Sequence, residues 1–274
     1  MTDPISLLSK VSSSDIRLEP YPHIVIKNAL PSDYYANLEQ SFPGIDQLKS
    51  IMQEASAAEP NNKSYKRTLR HLGRRNKRVN IPSSLVVDSS SHSPSHDHSH
   101  SLTNTWQRFI DYHSSDQFFK EMLQLFEAAI QQRFPELNTH DATAKRRNSA
   151  QDGNFSVDAM VAINTPSWFR GKITGPHTDH PNKLFIGLFY MQHEEDMGGG
   201  NLKIYQRKVP VNDKNLKWQP ESTVEEISTI NYDKNTFVLL LNTPESVHGV
   251  TTRYRSKFPR RFVNIIAERD HPFF

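Results

Sequence analysis

From Phe155 onward, short apolar runs of strand length are separated by turns. The segments are 155–164, 184–192, 201–206, 224–230, 236–242, 247–251 and 261–268. Many strands with no helical period between them predict an antiparallel barrel or sandwich. Before residue 155 the period changes. Ser32 or Asp33 can cap a helix in which Tyr35, Leu38 and Phe42 recur at helical spacing, and Pro43-Gly44 ends it. The clearest helix spans 115–134, capped by Ser115 and stopped by Pro135. Its stripe of Phe118, Met122, Phe126, Ala129 and Ile130 predicts packing against the outside of a sheet. Ile24-Val25-Ile26 reads as a short strand beside a structural His23. The pattern gives a mainly β protein with flanking helices, an α+β arrangement. Residues 1–154 form an N-terminal helical and strand support and 155–274 a β core, packed as one globular unit.

Composition changes this picture at two places. Only 35% of residues are hydrophobic and 23% are charged, so part of the chain must lie outside the core. Residues 88–103 are a Ser- and His-rich stretch that cannot bury enough apolar area to fold alone, and they read as a flexible polar loop. Metal binding by His92, His96, His98 and His100 is the alternative reading of that loop. Between Lys63 and Arg78 eight basic residues occur without an acid. They form either a solvated face or a patch for an anionic partner. Interleaved aromatics are nearly absent there, and the net charge is only +3, so no nucleic-acid partner is expected. The absence of cysteine excludes disulfides, thiolate metal sites and cysteine nucleophiles. The N-terminus lacks a basic, apolar leader, and no apolar run approaches the ~18 residues of a membrane span. A soluble cytoplasmic protein is the expectation.

The candidate chemistry centres on Gly175-Pro176-His177-Thr178-Asp179-His180, answered 71 positions later by His248 in Ser246-Val247-His248-Gly249-Val250. Two imidazoles and a carboxylate can occupy one face of an octahedral Fe(II), leaving open positions. In an extended segment residues i and i+2 point the same way, so His177 and Asp179 can share an ion while His180 points away. His248 follows the apolar run Phe237–Leu241, where a returning strand would bring it back. A double-stranded β-helix, or jelly roll, supplies that topology by bringing the start and end of such a chain to one mouth.

Between these ligands lies Gly198-Gly199-Gly200-Asn201-Leu202, and after His248 the pair Arg260-Arg261 opens an apolar strand. The order H-x-D, strand pair, G-G-x-L, distal His and basic residue resembles the Fe(II)/2-oxoglutarate-dependent dioxygenases of the prolyl-4-hydroxylase-like branch, over about residues 155–268. The resemblance implies Fe(II), 2-oxoglutarate as co-substrate and O₂, with release of succinate and CO₂ and hydroxylation of a small molecule or a peptide side chain. It makes His177, Asp179 and His248 the catalytic metal ligands. Related halogenases lack the carboxylate, so Asp179 argues for hydroxylation. A basic residue after the distal His is implied to bind the oxoglutarate tail. Alternation puts Arg261, Val263, Ile265 and Ala267 on one uniformly apolar face, which makes Arg261 the expected co-substrate ligand over Arg260. Tyr190 is a second candidate for that tail, and Asn164 a weaker candidate for a hydrogen bond to the co-substrate. Arg170 and Lys172 either meet an anionic substrate or solvate their loop, and Arg253 and Arg255 read as loop or substrate-facing residues. The glycines read as a tight connection and not as a phosphate loop. Two other readings stay open: a non-catalytic jelly-roll binding protein, and a cupin-type metalloenzyme that does not use 2-oxoglutarate.

Overall fold

The computed structural model describes residues 5–87, 102–171, 174–196, 198–210 and 217–274. In chain order these form β1 (His23–Lys27), α1 (Ser32–Gln40), α2 (Ile45–Ala58), α3 (Lys63–Leu72), β2 (Arg78–Ile81), α4 (Asn104–His113), α5 (Asp116–Arg133), β3 (Ala144–Arg146), β4 (Phe155–Asn164), β5 (Thr174–His177), β6 (Lys183–Tyr190), β7 (Leu202–Arg207), β8 (Val224–Ile230), β9 (Thr236–Leu241), β10 (His248–Val250) and β11 (Arg260–Glu268). The larger sheet has the order β1-β9-β6-β11-β4-β2, with β3 parallel to β4. The smaller sheet has the order β5-β10-β7-β8. The protein is therefore mainly β with some helices, in two sheets. Among the described residues no helix is long and apolar enough to cross a membrane.

Two apolar layers explain the burial pattern. On one face of the larger sheet Val263, Ile265, Ala267, Phe185, Phe189 and Phe237 pack with the helices in a single cluster. The ring of Phe126 on α5 meets Phe185 edge-on at 5.5 Å, and Phe109 on α4 lies 5.7 Å from Phe189. The opposite face carries Tyr190, Leu188, Phe262 and Val238 toward the smaller sheet, where Leu202 and Ile204 complete a second cluster. β11 lies between β4 and β6 and is buried on both faces, so it reads as an almost continuous apolar run. Gly187 on β6 serves this packing directly. A Cβ there would lie 2.9 Å from the Phe237 ring and 3.2 Å from Ile265.

The long helix is as the stripe predicts. Its N-cap Ser115 accepts a bond from the Phe118 amide at 3.3 Å, and α5 ends at Arg133. α1 differs in its cap. Pro31 holds the N-cap position with no side-chain bond, and Ser32 and Asp33 lie inside the first turn. The structure also adds α2, α3, α4, β2, β3 and β5, which the strand and helix patterns did not mark. α2 buries Leu48, Ile51, Met52 and Ala55, a helical period short enough to be masked by its polar neighbours. The N-terminal segment is clasped by α4. His113 donates from Nδ1 to the Phe109 carbonyl at 2.7 Å and accepts the Leu7 amide on Nε2 at 3.2 Å. Its complete burial pushes the imidazole down to about 3. The four histidines of the Ser/His-rich stretch lie outside the described residues.

Candidate metal centre

β5 ends at His177 and β10 begins at His248, and the two histidines are direct cross-strand partners. β10 is held from its other side by β7, where His248 faces Ile204. The imidazole centroids are 4.4 Å apart. Asp179 follows two residues after His177, and its Oδ1 lies 3.8 Å from His177 Nε2. One ligand atom from each of the three residues falls within 4.8 Å of the others. His180 is exposed and turned away, accepting the Asn182 amide.

The ring orientations are set by the main chain. His177 Nδ1 is 2.9 Å from the Gly175 carbonyl, and His248 Nδ1 is 3.0 Å from the Ser246 carbonyl. A carbonyl can only accept, so each Nδ1 carries a proton and Nε2 is the ring nitrogen left to meet an ion. Burial, with a further contribution from His248, pushes His177 down to about 4, which keeps it neutral at physiological pH. Burial alone would raise Asp179, but Lys183, His248 and His177 together hold it well below the usual carboxylate range. Lys183 Nζ is 3.0 Å from Asp179 Oδ2, leaving Oδ1 facing His177. Two imidazoles with Nε2 directed inward and one ionised carboxylate are a donor set for a divalent transition metal with open positions.

The triad sits at a cavity of about 320 Å³ between the sheets. Its far wall is the larger sheet, through Met160, Ile186, Leu188, Asn264 and Ile266. One register row crosses three strands at this wall: Arg78 on β2, Asn164 on β4 and Arg260 on β11. Arg260 is 3% exposed and lies 4.8–5.0 Å from the ring centroids of Tyr190, Tyr232 and Phe262. Its Nε donates to the Gly200 carbonyl at 3.0 Å and its Nη1 to Asn164 Oδ1 at 3.5 Å. Nη2 and the Tyr190 hydroxyl are buried beside one another, with no partner but each other. Burial raises the Tyr190 phenol, an effect Arg260 partly offsets, so the hydroxyl keeps its proton.

Arg261 is placed differently from the expectation. It points to the helix side of the sheet, donating to the Met191 carbonyl at 3.0 Å, reaching Glu39 at 3.4 Å and lying over the Phe42 ring. The inward set of β11 is Arg260, Phe262, Asn264 and Ile266, one residue out of phase with the expected one. The physical reason is that both faces of β11 are buried. The uniformly apolar face meets the helices, and Asn264 marks the polar cavity instead of an outer surface. Arg253 is likewise not substrate-facing. It is 1% exposed and holds both oxygens of Asp196, at 2.9 and 2.7 Å. The glycine segment fits around it: a Cβ on Gly198 would strike its guanidinium, and Gly199 and Gly200 have positive φ. Arg170 is exposed beneath the Tyr254 ring, away from the cavity, and Lys172 lies outside the described residues.

Sequence reasoning missed Arg78, Asn80, Arg147 and Lys183 as cavity residues. Arg78 was visible only as the last member of the basic run, because β2 is too short for its alternation to stand out. Trp218 was also missed. Its exposed ring lies 5.2 Å from His177, and its backbone bridges that ligand as a short edge.

No family model matches the sequence, and no curated protein does. Among solved structures, a prolyl-4-hydroxylase from Pseudomonas putida is 11% identical, over 90% of this chain and 92% of that one, with a TM-score of 0.41. A prolyl 4-hydroxylase from Phytophthora capsici is 12% identical, over 98% of this chain and 66% of that one, at 0.39. A prolyl hydroxylase from Trichoplax adhaerens, solved with a hypoxia inducible factor peptide fragment, is 11% identical over 90% and 84%, at 0.31. The structural neighbours are prolyl 4-hydroxylases and related oxygenases. At this level of similarity the likeness gives no residue a role, and the triad and its cavity carry the chemistry by their own geometry.

Proposed function

We propose that the protein is an Fe(II)- and 2-oxoglutarate-dependent dioxygenase that hydroxylates a small molecule or a peptide side chain on a double-stranded β-helix core. The observation that supports this most is the triad with both Nε2 atoms directed by backbone-tethered rings. His177, Asp179 and His248 would hold the metal. When bound, the metal and 2-oxoglutarate supply the oxidative chemistry, placing one atom of O₂ in the substrate and the other in succinate as CO₂ is lost.

The chain's own residues then have defined tasks. Lys183 fixes one oxygen of Asp179, so the carboxylate cannot rotate freely. Arg260 takes the co-substrate role expected of Arg261. Its Nη2 and the Tyr190 hydroxyl, buried beside one another with no other partner, offer donors to the distal carboxylate of 2-oxoglutarate. The aromatic rings around Arg260 keep its guanidinium in one plane. Ile186, Leu188, Met160 and Ile266 give the reacting carbon an apolar wall. The test is anaerobic titration of the Fe(II) protein with 2-oxoglutarate, read by the visible charge-transfer band of a 2-oxo acid chelated to Fe(II), followed by succinate release on admitting O₂. A band with succinate supports the reading. Tight metal binding with neither band nor succinate would replace it with a cupin-type enzyme, and absence of metal binding with a binding protein.

A further inference from the structure

The charges around the cavity do not balance. Four cations line it, Arg78, Arg147, Lys183 and Arg260, against two carboxylates, Asp179 and Glu268. Lys183 is paired with Asp179 at 3.0 Å and Arg147 with Glu268 at 2.5 Å. Arg78 and Arg260 remain, one on each side of Asn164 in the same register row, with both guanidiniums over the Phe262 ring at 5.2 and 4.8 Å. Two unneutralised cations over one ring repel each other unless an anion joins them. A divalent metal and a dianionic 2-oxoglutarate cancel one another, so the co-substrate that Arg260 would hold leaves the positive excess in place. Arg78 makes no ion pair among the described residues, although the Asp179 charge reaches it; its guanidinium donates from Nε to Asn80 Oδ1 at 3.3 Å, and its carbonyl meets His71 Nδ1. It also keeps access to solvent, where Arg260 does not.

The cavity does not end at Arg78. Arg78, Asn80, Arg147 and Met160 also line a second cavity that runs along α3, whose wall adds Arg67 and His71. Two of the eight basic residues of the sequence run, Arg67 and Arg78, reach this groove, whose one carboxylate among the described residues, Asp158, lies 3.7 Å from Arg147. Part of the run forms one side of a groove leading to the triad, and not only a solvated face.

We propose that the substrate is a small anion, entering along the α3 groove and pairing its carboxylate or phosphate group with Arg78 while its oxidisable carbon faces the triad. The proposal rests on the oxygenase reading for the second half of that sentence only, because the anion site needs no metal. Arg78 is a substrate-positioning residue here. Its place on the row, across Asn164 from Arg260, sets the substrate's anion beside the co-substrate and away from the ligand positions of the metal.

Calorimetric titration of the full chain, saturated with Mn(II) and 2-oxoglutarate, with inorganic phosphate and with acetate tests this. One of the two should bind, identifying a phosphate or a carboxylate as the recognised group. Arg78→Gln should weaken that binding about tenfold or more, and Arg78→Lys should recover part of it. Binding of neither anion, or equal binding by Arg78→Gln, overturns the proposal. So does a loss of 2-oxoglutarate affinity in Arg78→Gln as large as that in Arg260→Gln, which would make Arg78 a co-substrate residue. Failure of the oxygenase reading shows separately, as no uptake of Mn(II) or 2-oxoglutarate in the same instrument, and the anion titration of the metal-free chain then still decides Arg78. A compound screen gives the activity counterpart: anionic compounds should stimulate succinate release, and stimulation by neutral compounds alone overturns the proposal.

Discussion

Arg260→Gln separates the two possible phases of β11. The substitution keeps a planar donor of smaller reach and removes the charge. In the native protein the guanidinium spends Nε on Gly200 and Nη1 on Asn164, and Nη2 has only the Tyr190 hydroxyl beside it. Removing one partner of a buried, hydrogen-bonded charge pair costs about 2–5 kcal/mol. At about 1.4 kcal/mol per tenfold, the Kd of 2-oxoglutarate should rise between roughly 30-fold and a few thousand-fold. Anaerobic titration by the charge-transfer band of the Fe(II) protein reads this directly. Iron affinity should survive, since Arg260 touches none of the three ligands. The companion variant is Arg261→Gln. It loses the Met191 and Glu39 contacts on the helix side, so it should lower the melting temperature and leave the Kd of 2-oxoglutarate within about threefold. A larger co-substrate effect from Arg261→Gln than from Arg260→Gln would refute the assignment of faces.

Three further outcomes follow from the same geometry. His177→Ala, Asp179→Ala and His248→Ala should each abolish oxoglutarate-dependent turnover and weaken iron binding, because each removes one of three fixed ligands; full activity in any one refutes the triad. Phe126→Ala should cost about 3–5 kcal/mol in denaturant unfolding, since the ring is fully buried between α5 and Phe185; a loss below about 1 kcal/mol would mean the helix does not pack there. His113 makes stability pH-dependent. Its folded value, about 3, lies below the ordinary ~6.5, so the unfolded chain binds the extra proton; the contribution is complete above ~6.5 and is lost as pH falls toward 3, at up to about 1.4 kcal/mol per unit. His113→Gln should flatten that slope in melts between pH 4 and 7, and an unchanged slope would remove His113 as its source.

Much of the core was legible because strands and helices with one buried face leave a clean period. β8 is found where its pattern places it, at 224–230, and α5 within a residue of its predicted ends. The triad residues were legible from i, i+2 spacing and from the apolar run before His248. The failures have a common cause. Alternation identifies a face only when the other face meets water, and β11 has no such face. β2 offers two polar and two apolar residues, too few periods to register, although its Arg78 reaches the cavity. Arg253 reads in the sequence as a loop or substrate-facing residue because its partner Asp196 lies 57 positions away, a contact only the fold can create.

Both imidazoles of the triad are tethered to carbonyls two residues earlier in the chain. Many metal-binding histidines lean on a distant carboxylate, which a single mutation can delete. Here the acceptor is main chain, which every amino acid carries. Substitution at 175 or 246 can change a side chain but cannot remove the acceptor. The tautomer that frees Nε2 is thus inherited with the backbone path, and sequence drift around the site can proceed without erasing it.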